Sequence, residues 1–414
     1  MSETTDKFIE WVDALPPTWR AKRLGSLASV KARLGWKGLK AEEYVDEGYI
    51  FLSTPNLKGD EIDFENVNYI TKARYDESPE IMLRVGDVLM VKDGATLGIV
   101  ALVKNLPAPA TLNGSTAVIR TTGECDSRFL CHWLRSKGVQ QLIEKMKGGM
   151  GVPHLFQSDL RRFPVALPPP AEQRRIAGYL DEATGKVDRL VALRRRQMEL
   201  LREQRAVLIQ QAVTRGLNPN TPLKDSGLPW LGQIPKHWQM KRLKFLARFK
   251  SGDGITSDEI ADTGKYPVFG GNGVRGYASV FTHEGHFVLI GRQGALCGNI
   301  NYAEGRFWAS EHAVVATLAP GNEVYWFGEI LRVMNLNQYS QSAAQPGLAV
   351  EKVQNLLTCV PPQAEQRAIV EFIQSESGKN DRLLSAYTRQ LELLTEYRAA
   401  LLHECVTGQR AVPA

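Results

Sequence analysis

From Ala171 onward, apolar and polar residues follow one another in steps of three and four. Val187, Leu190, Arg194, Gln197, Leu201, Gln204 and Leu208 keep that stepping, and so do Asn380, Leu383, Tyr387, Gln390, Leu394, Tyr397 and Leu401. A 3-4 alternation is the seam of a coiled coil. It predicts two long helices, from Ala171 to about Thr214 and from Ala364 to about Thr407, free of proline and poor in glycine. Leu, Arg, Glu, Gln and Ala dominate both, all good helix formers. Each helix of about 43 residues would span roughly 65 Å at ~1.5 Å per residue. Gln197 and Gln390, in equivalent seam positions, are expected to set the register. A second stripe, Leu193-Leu200-Val207 with its counterpart Ala386-Leu393-Ala400, is expected to stay outside the pair as a partner surface. The competing reading is two amphipathic helices buried in separate cores; the matched register favours pairing with each other.

The match extends beyond the seam. Ala171-Glu172-Gln173-Arg174 recurs as Ala364-Glu365-Gln366-Arg367, and the same spacing takes Asp188-Arg189-Leu190 to Asp381-Arg382-Leu383 and Arg205-Ala206 to Arg398-Ala399. Prolines precede both copies, Pro168-Pro169-Pro170 and Pro361-Pro362, and a helix starts after such a run more readily than it crosses one. A second repeat lies upstream: Leu15-Pro16-x-x-Trp19-x-x-Lys22-Arg23-Leu24 returns as Ile234-Pro235-x-x-Trp238-x-x-Lys241-Arg242-Leu243. Trp19 and Trp238 are expected as core anchors. The plan is block, helix, block, helix, duplicated as a frame whose two blocks have diverged in length and sequence.

Inside the blocks, short β-rich runs such as Tyr49-Ile50-Phe51-Leu52, Val88-Leu89-Met90-Val91 and Phe287-Val288-Leu289-Ile290 are broken by glycine turns. Helical stretches follow around Ser127 to Met146 and Glu323 to Gln338. The expected fold class is α+β: two globular blocks separated by two long helices that pair as an antiparallel coiled coil, an internal repeat with pseudo-two-fold character. The expected boundaries are 1–167 for the first block, 168–218 for the first helix, 219–359 for the second block and 360–414 for the second helix. Arg215 to Leu231, with Pro219, Pro222, Gly227 and Pro229, reads as a linker.

Composition narrows the function classes. Hydrophobic residues make up 43% and charged residues 23% of the 414, the balance of a globular protein. A net charge of +6 tilts toward a polyanionic partner. Cys125, Cys131, Cys297, Cys359 and Cys405 form no C-x-x-C pair, so neither a disulfide framework nor a zinc site is expected, and a reducing cytoplasm is. Met1 to Trp11 lacks the basic start and apolar core of a signal peptide. No apolar run approaches membrane-spanning length.

A search for catalytic patterns returns little. Phe269-Gly270-Gly271-Asn272-Gly273 matches the F-x-G-x-G loop of S-adenosylmethionine sites, but it leads into a β-like, glycine-rich run rather than a helix. No Asn-Pro-Pro-Tyr tetrapeptide, phosphate-binding G-x-x-x-x-G-K-[ST] loop or G-x-S-x-G elbow occurs. His283, Glu284 and His286 lack H-E-x-x-H spacing, and Glu311 beside His312 is a weak pair for proton transfer. No catalytic residue, metal or cofactor is expected of this chain. The turns instead carry polar and cationic residues: Lys31, Arg33, Lys37, Asn56, Lys58, Lys92, Asn113 and Ser115 in the first block, and Lys250, Ser251, Asn272, Arg275, Arg292, Gln293 and His312 in the second. Arg and Lys read guanine and grip phosphate, while Asn and Gln suit adenine. For any one of them a solvated loop is an equal reading; on a duplicated frame, the set points to DNA.

At these residues the chain resembles the specificity subunits of type I restriction-modification enzymes. The resemblance rests on the P-P-x-x-EQ-R junctions at Pro168 to Arg174 and Pro361 to Arg367 and on the Pro-x-x-Trp-x-x-x-Arg-Leu openings. It also rests on Gly86-Asp87-Val88-Leu89 with Asp93-Gly94-Ala95-Thr96-Leu97-Gly98, on Tyr266 to Gly273, on Ile290 to Ala295 and on Trp308-Ala309-Ser310-Glu311-His312. It implies two target recognition domains, each reading half of a split, asymmetric double-stranded DNA sequence, with the helices as spacer. It further implies docking of two methyltransferase subunits and, through them, restriction and translocase subunits, with S-adenosylmethionine and ATP belonging to those partners. Two other readings stay open: a non-catalytic coiled-coil scaffold, and a self-contained DNA methyltransferase resting on Phe269 to Gly273 alone.

Overall fold

The computed structural model describes residues 15–33, 39–146, 153–294, 296–340 and 347–413; Lys37 among the candidate contacts, and Ala295, lie outside them. The chain forms two compact units, Met1–Arg194 with Arg389–Ala414, and Arg195–Thr388. The division falls inside both long helices rather than at the block boundaries, because the two ends of each helix pack into different cores.

In the first unit, Arg20–Arg23 pairs antiparallel with Pro164–Leu167, so the block's first and last strands close on each other. Between them runs a four-stranded antiparallel sheet in the order Ala28–Ala32, Thr116–Thr121, Val88–Val91, Val100–Leu102. Val88 to Val91 are all buried, the continuous apolar run of a strand covered on both faces. On one face sits the helix Ser127–Arg135, capped by Asp126, whose carboxylate accepts the N–H groups of Arg128 and Phe129. Phe129, Trp133 and Leu134 from that helix share a core with Trp19, Val30, Val88 and Met90. On the other face, Leu89, Val91 and Val118 pack with Ile50, Leu52 and Leu112. The last three come from a smaller sheet, where Tyr49–Leu52 runs parallel to Ala110–Leu112 and antiparallel to Asn68–Ile70.

The second unit builds the same scheme with longer strands. Its six-stranded sheet follows the order Ala247–Ser251, Ala313–Leu318, His283–Gly291, Ile300–Ala309, Tyr266–Gly270, Gly273–Ala278. The single strand Ile300–Ala309 does what Val100–Leu102 and Ala110–Leu112 do separately in the first unit: it pairs antiparallel with His283–Gly291 along most of its length and parallel with Tyr266–Gly270 at its end. The interruption in the first unit contains Pro107 and Pro109, which cannot donate to a ladder. The helix Val324–Val333 brings Trp326, Phe327, Ile330 and Leu331 into a core with Trp238, Phe249, Val288 and Val314.

The junction motifs explain how block and helix are joined. The first long helix runs Pro170–Arg215, the second Gln363–Val406. Glu172 accepts the indole N–H of Trp19 at 3.2 Å. Gln173, fully buried, accepts the Asp126 N–H at 2.7 Å and donates to the carbonyls of Glu124 and Pro168 at 3.0 and 2.8 Å. The second copy repeats this, with Gln366 accepting the Glu323 N–H at 2.9 Å and donating to the Pro361 carbonyl at 3.0 Å. The expected core-anchor tryptophans are thus buried and also hydrogen-bonded. Each long helix stops at a glycine in the left-handed region, Gly216 at φ 76° and Gly408 at φ 74°. A Cβ on Gly408 would come within 2.5 Å of Pro16, so that helix end closes against the opening of the first block.

Within each unit the long helices pair antiparallel. In the first, Arg398 Nε reaches Asp188 Oδ1 at 2.9 Å, and Ile176, Ala177 and Leu180 share the core with Leu401, Cys405 and Val406. In the second, Arg205 reaches Asp381 at 2.8 Å, and Ala212 and Val213 share the core with Ile369. The seam differs from the expected one at alternate positions. The inward residues are Val187, Val191, Arg194, Met198, Leu201, Arg205 and Leu208 on the first helix, and Asn380, Leu384, Tyr387, Leu391, Leu394, Arg398 and Leu401 on the second. Leu190, Gln197, Leu383, Gln390 and Tyr397 face solvent instead. Both series have 3-4 steps and share every second member; Val191, Met198, Leu384 and Leu391 bury more apolar surface than the alternatives containing Gln197 and Gln390. The Arg205–Asp381 and Arg398–Asp188 pairs join the two helices across the seam. Leu193, Leu200, Val207 and Leu393 remain 47–61% exposed.

Candidate nucleic-acid interface

Both units build one turn in the same way. In the first, the Lys92 N–H donates to the Ser115 carbonyl at 2.8 Å and the Lys92 carbonyl accepts the Leu155 N–H at 2.8 Å. In the second, the Arg292 N–H donates to the His312 carbonyl at 2.9 Å and the Arg292 carbonyl accepts the Leu348 N–H at 2.9 Å. Beyond these residues, Gly94 and Gly98 (φ 88° and 95°) correspond to Gly294 and Gly298 (φ 84° and 86°). Glycine is needed there because a side chain is strained at positive φ. Two strands away, the Asn113 N–H donates to the Leu52 carbonyl at 2.9 Å, as the Ser310 N–H does to the Phe269 carbonyl at 2.9 Å. The pattern Gly-Ala-x-x-Gly at Gly94 and at Gly294 was the sequence signal that aligns the two turns; the repeats in the frame do not reveal it.

The side chains on this shared backbone differ. In the first unit Lys92 is buried, its Nζ 2.8 Å from Asp93 Oδ2. Asp93 also pairs with His154, on whose ring Phe156 sits edge-on at 4.4 Å. Asp93 stood out in the sequence only as the start of the Asp93 to Gly98 segment, not as a contact, and His154 not at all, because an isolated His in a loop carries no pattern. Phe156 is 63% exposed. In the second unit the corresponding turn presents Arg292 and Gln293, and Gln293 Oε1 lies 3.2 Å from His312 Nδ1. Asn272, Arg275, Gln293 and His312 line one open groove of about 840 Å3, whose wall is largely glycine: Gly270, Gly271, Gly273, Gly294 and Gly347. Four of the seven candidates in the second block are therefore brought together.

The remaining candidates fall into two groups. Lys31 and Lys250 are exposed at equivalent places, on the strands Ala28–Ala32 and Ala247–Ser251. Lys58 is exposed and paired with Asp63 at 2.7 Å, and Ser251, Asn113 and Ser115 are half-buried. Arg33 and Asn56 are corrections. Arg33 is 4% exposed, donating to the Leu112 carbonyl at 3.2 Å and to Ser78 and Thr111 hydroxyls at 3.4 Å each, with its guanidinium 5.7 Å from the Phe51 ring. Burial, with Arg74 nearby, pushes its pKa below the ordinary arginine value. Asn56 is 5% exposed and ties a loop, donating to the Asn66 carbonyl at 2.7 Å while accepting the Ser53 N–H at 2.8 Å. A cation or amide in a turn-rich stretch looks the same in sequence whether it faces water or fastens the loop from within.

Phe269 to Gly273 is a tight hairpin: Gly270 pairs with Gly273 across antiparallel strands, and no helix follows to receive a cofactor phosphate or carboxylate. Among the described residues no cluster of His, Cys, Asp and Glu has metal-binding geometry. No helix among them is long and apolar enough to cross a membrane.

The chain matches the family described as type I restriction modification DNA specificity domain over residues 16–197 and 235–392. It is 42% identical over 152 residues to the type I restriction enzyme EcoprrI specificity subunit of Escherichia coli, a match covering 36% of this chain and 37% of that one. It is 23% identical to the MjaIX specificity subunit of Methanocaldococcus jannaschii, across 97% of this chain and 95% of that one. The fold is shared with a chain from a structure addressing complex assembly and conformational transition of the type I R-M system, with a TM-score of 0.74, 21% identity and coverage of 96% and 99%. With the matched ranges taking in both blocks and the first half of each long helix, the chain belongs to the type I restriction-modification DNA specificity family.

Proposed function

We propose that this chain is the sequence-reading, non-catalytic subunit of a type I restriction-modification complex. Each block reads one half of a bipartite, asymmetric double-stranded DNA target, and the two long helices act as the spacer between the readers. The observation that carries the reading is the turn built twice on one backbone with different side chains: Lys92, Asp93 and His154 in one unit, Arg292, Gln293 and His312 in the other. A frame kept constant while its readers diverge is what an asymmetric split target requires. Methyltransferase subunits, two in number, bind the exposed faces of the long helices and bring the restriction and translocase subunits with them, in the cytoplasm where the target DNA lies. S-adenosylmethionine and ATP are their cofactors.

The test is selection from a randomised duplex pool by the purified chain together with its methyltransferase partner. Enrichment of two defined half-sites separated by a fixed gap is expected; no enrichment in any salt condition overturns the reading. Inserting one heptad in each helix, after Gln197 and Gln390, should lengthen the gap and leave both half-sites unchanged.

A further inference from the structure

The second unit's groove contains a more specific arrangement. His312 lies between two partners, its Nδ1 3.2 Å from Gln293 Oε1 and its Nε2 3.1 Å from Glu311 Oε1. With protons on both ring nitrogens, His312 donates Nδ1–H to Gln293 Oε1 and Nε2–H to Glu311 Oε1, which fixes the plane of an otherwise mobile amide. That leaves the second lone pair of Oε1 and both hydrogens of Nε2 facing the groove. An amide presenting one acceptor and one donor side by side matches the N6 amine and N7 of adenine in the major groove.

The rest of the lining fits the other base of the same pair. Leu296 and Val274, both in the groove, are each 51% exposed, apolar surface of the kind that packs on a thymine methyl group. Gly271, Gly294 and Gly347 keep the wall low, so a base edge can approach the backbone. Arg275 lines the same groove and supplies a cation for an adjacent phosphate.

Resting on the DNA-reading function above, we propose that Gln293, positioned by His312, reads the adenine of one A·T pair in the half-site of the second block, with Leu296 and Val274 against the partner thymine. The equivalent position in the first unit is Asp93, an acceptor only, already engaged by Lys92 and His154. It cannot donate to N7, so this mode of adenine reading belongs to one half-site alone.

The experiment uses the full chain with its methyltransferase partner on duplexes carrying the selected target. Each adenine of the second block's half-site is replaced in turn by 7-deazaadenine, which lacks the N7 acceptor, and each thymine by uracil, which lacks the methyl group. One pair is expected to respond to both, with about a tenfold or greater loss of affinity on deaza substitution. Gln293→Ala should lose the same factor on the natural target and become insensitive to 7-deazaadenine there. Gln293→Glu, which keeps the shape and removes the donor, should behave alike if the alanine variant folds poorly. His312→Ala should lower discrimination at that pair, and His312→Asn, which keeps a donor toward Gln293, should lower it less. A selected target in which no adenine of that half-site responds, or a Gln293→Ala protein that keeps the sensitivity, overturns the assignment alone. Absence of any selected target overturns the proposed function and this assignment with it.

Discussion

Trp238 donates its indole N–H to Glu365 Oε2 at 2.9 Å, fastening the opening of the second block to the first turn of the second long helix. The indole is fully buried, and Glu365 is the acceptor its N–H finds at the edge of the core. Glu365→Ala should cost about 1.5–3 kcal/mol, the range for a hydrogen bond to a charged group. Glu365→Gln, which retains an acceptor, should cost less. Urea unfolding of the parent and the two variants checks the order; a Glu365→Ala protein as stable as the parent would show that the contact contributes nothing.

The observed seam predicts a contrast between neighbours. Leu391→Ala removes a half-buried side chain from between the helices and should cost about 1–2 kcal/mol, below the range for a fully buried leucine. Gln390→Ala, one residue earlier and exposed, should change stability by less than about 0.5 kcal/mol. Thermal unfolding of both proteins decides between the two seams.

Arg33 should act on stability and leave recognition alone. Arg33→Ala leaves the Thr111 and Ser78 hydroxyls and the Leu112 carbonyl without their donor, and should destabilise by roughly 2–4 kcal/mol. At a temperature where the variant stays folded, its selected DNA sequence should equal that of the parent. A change confined to one base position would return Arg33 to the contact surface.

Lys31 and Lys250 stand at equivalent places on the two units and face solvent. Their point charges suit phosphate, which carries no sequence information. Lys31→Ala and Lys250→Ala should each weaken binding to all duplexes by a similar factor. Each should also lower the slope of log affinity against log salt by about 1. Titration at several salt concentrations reads this directly, and loss restricted to the cognate sequence would contradict it.

Stability should fall in mild acid. Burial holds the imidazoles of His403 in the first unit and His283 in the second below the ordinary value of 6.5. The unfolded chain therefore binds these protons before the folded one, so the contribution is complete above pH 6.5 and declines as pH falls toward the depressed folded values. Unfolding free energy measured between pH 8 and pH 5 should drop at the acid end. His403→Gln should flatten part of that drop; an unchanged slope would place its origin elsewhere.

The long helices were legible because their apolar period persists for many turns and occurs twice. The finer choice of seam was not, since Leu190 and Val191 lie one residue apart and both are apolar; their exposure was settled by packing. The Ala-Glu-Gln-Arg repeat was visible as a marker, while its work as a clamp depends on Asp126 and Glu323, which are distant in sequence and lack any matching motif. Candidates in the second block converged because Asn272, Gln293 and His312 sit at the ends of adjoining strands. Those in the first scattered because Arg33 and Asn56 turned inward to hold irregular backbone. Sequence shows which residues can hydrogen-bond, and tertiary packing decides whether the partner is base, water or the protein's own carbonyl.

The first unit's core joins Trp19 and Leu24 to Leu401, Cys405 and Val412, residues from the two extremes of the chain. On the ribosome, the amino-terminal block therefore emerges long before the segment that seals it. It must wait, partly open, through synthesis of everything between, whereas the second unit is drawn from one uninterrupted stretch and can finish first.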